Sequence, residues 1–229
     1  MTPTVTAYNW APDEGRGLVR DMRVRWALEE VGQAYEVRLL NWGEQKETAH
    51  RARNPFGQVP AYEEDGLVLF ESGAIVLHIA QSRPGLLPED GPGRARGIAW
   101  MFAALNTVEP VIWDRVVTGF FERDQPWPKA RLPSVDERVR ERLQELSAWL
   151  GDKDYLEGEF SAGDLLMIAV LRHLGRSELL TAFPNLVAYV ARGEARPAFG
   201  RALEALRAGL IDEVPEEFRR PAQSGDHHA

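Results

Sequence analysis

Two short segments hold the residues whose types and spacing are best suited to chemistry. Asn54-Pro55-Phe56-Gly57-Gln58-Val59-Pro60 is followed, ten residues later, by Phe70-Glu71-Ser72-Gly73-Ala74-Ile75. Pro60 lacks a backbone donor and biases Val59 away from helical geometry, so Val59 presents its N–H and C=O as an extended edge. Ala61 to Glu64 and Leu67 to Phe70 flank Asp65-Gly66, and a Gly-ended turn between apolar runs predicts a hairpin. Glu71-Ser72 then falls where the second strand ends and a helix begins, with Ser72 a candidate cap for that helix. Free N–H groups and the dipole at a helix start favour an anion. A small peptide with an extended backbone and a free α-carboxylate would find complementary groups at both places.

Composition narrows what else the chain can do. It has 229 residues, 44% hydrophobic and 27% charged, with a formal net charge of −8; this reads as a soluble globular protein with a proper core. Nucleic-acid binding is a poor expectation, since neutralising phosphates takes clustered basic surface. There are no cysteines, which excludes disulfides, thiolate metal sites and a cysteine nucleophile. No histidine ligand spacing appears in the body of the chain, and His227-His228 sit in a polar tail, so no metal is expected. No apolar run long enough to cross a bilayer and no signal pattern at the first residues are present. No membrane association and a cytoplasmic location are therefore expected.

The elements that must position the two segments can be read in order. Thr4 to Trp10 predicts a strand, Leu18 to Val31 a helix ended by Gly32, Tyr35 to Leu40 a strand and Lys46 to Arg53 a short polar helix. The hairpin and a helix over Ser72 to Gln81 complete βαβαββα. Ser82 to Gly93 concentrates Pro and Gly as a linker. Beyond it, helical patterns run through Ala95–Phe121, Ser134–Leu150, Ala162–Leu174, Asn185–Arg192 and Pro197–Leu210, with Pro133, Pro184 and Pro197 placed at helix starts. Ser161-Ala162-Gly163-Asp164 has the capping-box pattern before an apolar helix.

Taken together, the Val59-Pro60 and Glu71-Ser72 segments resemble the glutathione site of cytosolic glutathione transferases, of bacterial type and unassigned class. The Ser161 box and Arg196-Pro197-Ala198-Phe199 are similar to that family too, so the likeness spans about residues 4 to 210. The resemblance implies an α+β thioredoxin-like domain over residues 1–82, an all-α domain over 93–212 that lines an electrophile pocket, and a mobile tail over 213–229. It implies a cis Pro60, Val59 pairing with the cysteinyl backbone of glutathione, Glu71 and Ser72 holding the γ-glutamyl end, and Gln58 contacting the peptide. Trp42, Gln45 and Lys46 would lie at the glycine end. Trp113 and Arg115 are candidates for the electrophile pocket. A homodimer is also implied, with Phe56 a candidate key into the partner.

Catalysis would require the glutathione thiol to ionise. A pKa near 8.5 must fall by about two units, which takes roughly 2.7 kcal/mol of preferential thiolate stabilisation. The sequence departs from the family here: Tyr8-Asn9-Trp10-Ala11-Pro12-Asp13-Glu14-Gly15-Arg16-Gly17-Leu18 has no Ser, Thr or Cys between strand and helix. Tyr8 is the one hydroxyl candidate and Arg16 a candidate cation; Asn9 and the Gly15–Gly17 backbone are further donors. The expected activity is conjugation of glutathione to small hydrophobic electrophiles, with peroxide reduction a related possibility. The alternatives are a glutathione-binding or interaction protein with little turnover, and a glutathione-dependent isomerase or dehalogenase.

Overall fold

The structure, a computed structural model, describes residues 2–12 and 15–218. The first half contains β1 Thr4–Tyr8, α1 Asp21–Glu30, β2 Glu36–Leu40, a single tight turn at Glu44–Lys46, α2 Thr48–Arg51, β3 Ala61–Glu64, β4 Leu67–Phe70 and α3 Ser72–Ser82. The strands form one mixed sheet in the order β2-β1-β3-β4. β1 runs parallel to β2, with Val5 opposite Val37, and antiparallel to β3, with Val5 opposite Tyr62. The hairpin falls where the apolar runs and the Asp65-Gly66 turn placed it, and both turn residues have positive φ. This thioredoxin-like arrangement is followed by helices alone: α4 Gly91–Ala103, α5 Glu109–Val116, α6 Pro128–Leu150, α7 Ala162–Leu171, α8 Glu178–Thr181, α9 Pro184–Glu194 and α10 Pro197–Ala208.

Three local expectations need correction. Pro133 lies inside α6, which begins at Pro128; the polar first turns of this helix carry too weak an apolar stripe to be seen. Trp10 lies beyond the end of β1, and Leu18 lies before α1, in a turn that Gly17 enters at φ +94°. Ser72 does not cap α3: Glu71 occupies the cap position with no side-chain cap bond, and Ser72 is the first helical residue. The hydroxyl of Ser72 is engaged elsewhere, as shown below.

α7 is the axis of the helical half, with all ten residues buried. The Ser161 hydroxyl accepts a bond from the Gly163 N–H while the Asp164 carboxylate accepts one from the Ser161 N–H at 2.9 Å, so the capping box read from the sequence closes. The two halves meet along α1. Trp26 is fully buried against Phe160 and Phe199, and Arg196 grips Glu30 with two bonds of 2.6 and 2.8 Å. Bidentate guanidinium–carboxylate geometry fixes orientation as well as distance. It therefore sets how the sheet domain is turned toward α5.

α4 and α5 form one long rod interrupted by a widened π-type turn over Ala104–Val108, and a second such turn, Val117–Phe121, ends it. Pro110 supplies a cause for the first, because its ring has no N–H and crowds the carbonyl one turn back. The rod is the wall facing the sheet domain. No helix among the described residues is long and apolar enough to cross a membrane.

Candidate functional site

A cavity of about 510 Å³ opens between the β1–α1 segment, the Gln58-Val59 turn and the second half of the rod. Its first-domain wall includes Tyr8, Trp10, Leu18, Val19, Arg20 and Val59; its helical wall includes Glu109, Trp113, Arg115, Val116, Phe120 and His173. An apolar chamber with a few polar groups at one end is the usual form of a small-molecule site.

The backbone edge at Val59 is open. The Val59–Pro60 bond is cis, and the Val59 N–H and C=O make no hydrogen bond among the described residues. The turn is held from beneath instead. His50 Nε2 and Asn54 Nδ2 lie 2.8 and 2.9 Å from the Gln58 carbonyl, while the Phe56 N–H donates to the Asn54 side chain. Gly57, at φ +59°, lies so close to the Gln45 carbonyl that a Cβ there would stand 2.6 Å from it. The turn thus offers Val59 outward while its own polar groups are satisfied inward.

The second segment lies at the start of α3. Glu71 has φ +68°, an uncommon conformation for a residue with a side chain, and such backbone positions cluster at ligand sites. Ser72 is buried, and its Oγ accepts a bond from Arg23 Nη1 at 3.4 Å. Since a guanidinium can only donate, the Ser72 O–H remains able to donate to a ligand. The N–H groups of the first turn of α3 are further donors there.

Arg23 belongs to a buried group that sequence reading missed. Its guanidinium bonds both oxygens of Glu109, at 3.2 and 2.8 Å, and Arg20 reaches Glu109 Oε1 at 3.4 Å. Burial pushes the Glu109 carboxyl up, but the Arg23 bonds and the charges of Arg23 and Arg20 more than offset this and hold it below the ordinary range. His173 stands edge-on to Trp113, and burial with the nearby Arg23 charge pushes it down to about 4, so it is neutral near pH 7. The only sequence signal for this cluster was the density of charge, Arg20, Asp21, Arg23 and Arg25, on a helix that also carries Met22, Val24 and Trp26. Which of these charges turn inward depends on contacts 86 residues away.

The other candidates separate by position. Tyr8 lines the cavity with its ring 4.7 Å from that of Trp42, and burial pushes its hydroxyl up to about 12. It is therefore a neutral O–H donor across the physiological range. Trp42, Gln58, Val59, Trp113 and Arg115 also line the cavity. Arg16 does not: its guanidinium lies 3.3 Å from Asp212. Gln45 is buried and accepts a bond from the Gly43 N–H, and Lys46 Nζ donates to the carbonyls of Phe56 and Gly57. Both support the Val59 turn from outside the cavity. Asp13 and Glu14 of the loop lie outside the described residues.

Residues 213–218, part of the expected tail, fold back over this region. The Ile211 N–H bonds the Asn9 carbonyl, and the Phe218 ring sits 4.7 Å from both Trp10 and Trp42. Residues 219–229 lie outside the described residues. Among the described residues no group of three or more His, Cys, Asp or Glu is placed to hold a metal ion.

Comparison with known proteins gives a consistent picture. The model of the glutathione S-transferase N-terminal domain matches residues 5–81, and that of the glutathione S-transferase C-terminal domain matches residues 108–197. Glutathione S-transferase 4 of Zea mays is 31% identical over 225 residues, covering 91% of this chain and 96% of its own. Among solved structures, a glutathione transferase of Populus trichocarpa superposes with a TM-score of 0.77 at 25% identity, covering 90% of this chain and 99% of that one. A glutathione transferase of Burkholderia graminis, with two glutathione molecules bound per subunit, gives a TM-score of 0.76 at 25% identity, covering 89% and 88%.

Proposed function

The chain belongs to the glutathione S-transferase family, and from that membership we propose that it conjugates glutathione to small hydrophobic electrophiles in the cavity between its two halves. The observation that carries this reading is the pairing of the open Val59 edge on the cavity wall with the start of α3, which lies outside the cavity lining and is tied to it by the Arg23 bonds to Ser72 and Glu109. Glutathione fits these groups. Its cysteinyl backbone would pair with Val59, and its γ-glutamyl carboxylate would meet the Ser72 O–H and the α3 N–H groups. Gln58 and Trp42 border the peptide, while Gln45 and Lys46 brace the turn.

The sulfur would then point toward Tyr8, whose hydroxyl forms no hydrogen bond among the described residues. Donation from this neutral O–H stabilises a thiolate more than a thiol and so lowers the thiol pKa. The thiolate attacks the electrophilic carbon, forming a C–S bond as the leaving group departs or as the electron pair moves onto an adjoining acceptor. Trp113, Val116 and Phe120 provide an apolar wall for that partner. Replacing Tyr8 by Phe is expected to raise the bound thiol pKa by about one unit and to lower kcat/KM by roughly 10- to 100-fold. Titration of thiolate absorbance and conjugation of a chloronitroarene measure the two effects. Unchanged values in Tyr8→Phe would remove Tyr8 from the mechanism.

A second reading, glutathione binding with little turnover, is favoured by one feature: among the described residues no Ser, Thr or Cys lines the cavity. Tight glutathione binding without conjugation of any chloronitroarene, epoxide or peroxide would select it.

We also propose a homodimer in which Phe56 enters the partner. Phe56 is 64% exposed and touches Phe70 only edge-on, at 6.1 Å, and an apolar ring so displayed on a fixed turn suits a partner pocket. Light scattering should give twice the 25.7 kDa chain mass. A mass near one chain would contradict the dimer.

A further inference from the structure

Among the described residues, the cavity has one positive charge more than its own anions balance. Arg23 is bound to both oxygens of Glu109 at 2.8 and 3.2 Å, and its side chain is only 3% exposed, so these two charges cancel each other. Arg115 is matched by Asp136 at 3.4 Å. Tyr8 and His173 are neutral near pH 7. Arg20 is left with a 3.4 Å contact to one oxygen of a carboxylate that Arg23 has already neutralised, and 42% of its side chain is exposed.

The location of that charge is equally specific. The guanidinium of Arg20 lies 5.6 Å from the centre of the Trp113 ring, and its other contact, Glu109, is on the same helix. The side chain starts beside α1 but delivers its charge to the α5 wall, where the electrophile would lie. Low-dielectric walls strengthen the attraction between such a cation and a ligand anion, and a planar guanidinium matches the two oxygens of a carboxylate.

We propose that Arg20 is a specificity-determining residue, and that the electrophiles this cavity takes are aromatic or apolar rings bearing a carboxylate. This rests on the transferase reading above. The ring lies against Trp113 and the aromatic end of the rod while its carboxylate pairs with Arg20. For a chloronitrobenzoate, the glutathione thiolate forms a bond to the chlorinated ring carbon, the displaced electron pair passes through the nitro-substituted ring, and the C–Cl bond breaks to release chloride. The carboxylate takes no part in bond making and remains on Arg20.

The test uses the full chain as wild type, Arg20→Gln and Arg20→Lys. Two product conjugates are titrated by calorimetry: the S-aryl glutathione carrying a ring carboxylate, and the same compound with that carboxylate as its methyl ester. Wild type is expected to bind the carboxylate form about tenfold more tightly. Arg20→Gln should abolish that preference while leaving the ester within about twofold of wild type, and Arg20→Lys should keep part of it. No preference in wild type, or one that survives in Arg20→Gln, would overturn the proposal. So would a rise in the thiol pKa of bound glutathione in Arg20→Gln with both conjugates weakened equally, since Arg20 would then serve the thiolate. Turnover of the chloronitrobenzoate is measured alongside. If turnover is absent but the Arg20-dependent preference is present, the transferase reading fails while anion recognition by Arg20 stands.

Discussion

Replacing Glu109 with alanine is expected to destabilise the protein by about 3–5 kcal/mol, because it strands the buried Arg23 guanidinium without a counter-charge. Arg23 has a side-chain exposure of 3%, and Glu109 supplies both of its carboxylate contacts. Removing both partners should cost less than removing one: an Arg23→Met, Glu109→Leu double variant is expected to recover much of the loss. The pH dependence distinguishes an ionic role from simple packing. Glu109 is held below the ordinary carboxylate range, so its contribution is complete above that range and is lost as pH falls through its lowered folded value. The difference between wild type and Glu109→Ala should therefore shrink in acid.

His173 acts in the same direction but at higher pH. The unfolded chain takes up a proton near 6.5 and the folded chain only at about 4, so stability is full above 6.5 and falls as pH is lowered toward 4. Urea unfolding of both chains from pH 8 to about pH 2 checks both effects. A difference below about 1 kcal/mol at pH 7, or one that does not depend on pH, would show that the cluster does not act through charge.

The second large effect lies far from the cavity. Asp164 is completely buried and accepts four hydrogen bonds: from the Leu156 and Ser161 N–H groups, the Ser161 hydroxyl and the Tyr189 hydroxyl, all at 2.9–3.0 Å. Asp164→Ala is expected to cost about 3–5 kcal/mol, because it leaves several donors unsatisfied in the core as well as an open helix cap. Ser161→Ala loses the smaller share, about 1 kcal/mol. Thermal or urea unfolding of the two variants should rank them in that order; equal losses would mean that the cap alone, and not the bonds to Leu156 and Tyr189, accounts for the role of Asp164.

Local chemistry made much of this protein legible in its sequence. The β3–β4 hairpin, the Val59-Pro60 edge and the capping box each depend on residues a few positions apart, and the steric and donor properties of Pro, Gly and Ser act at that range. The helix start at Glu71-Ser72 was legible for the same reason, but the partner of the Ser72 hydroxyl was not, since Arg23 lies 49 residues away. The Arg20, Arg23, Glu109 and His173 cluster could not be read because charges on an amphipathic helix are normally solvated. Only the tertiary contact with Glu109, 86 residues away, decides that Arg23 turns inward. Arg16 and Arg20 are four residues apart in one basic segment. The sequence offered no way to choose between them, and the fold directs one to Asp212 and the other to the cavity.

The central claim, that this chain binds glutathione across Val59 and Ser72 and activates its thiol, is tested most directly by a pH titration of thiolate absorbance in the protein–glutathione complex, with S-methylglutathione as the control. The account predicts a bound thiol pKa well below the roughly 8.5 of a free thiol. A thiol that titrates as it does in water, despite saturable binding, would contradict it.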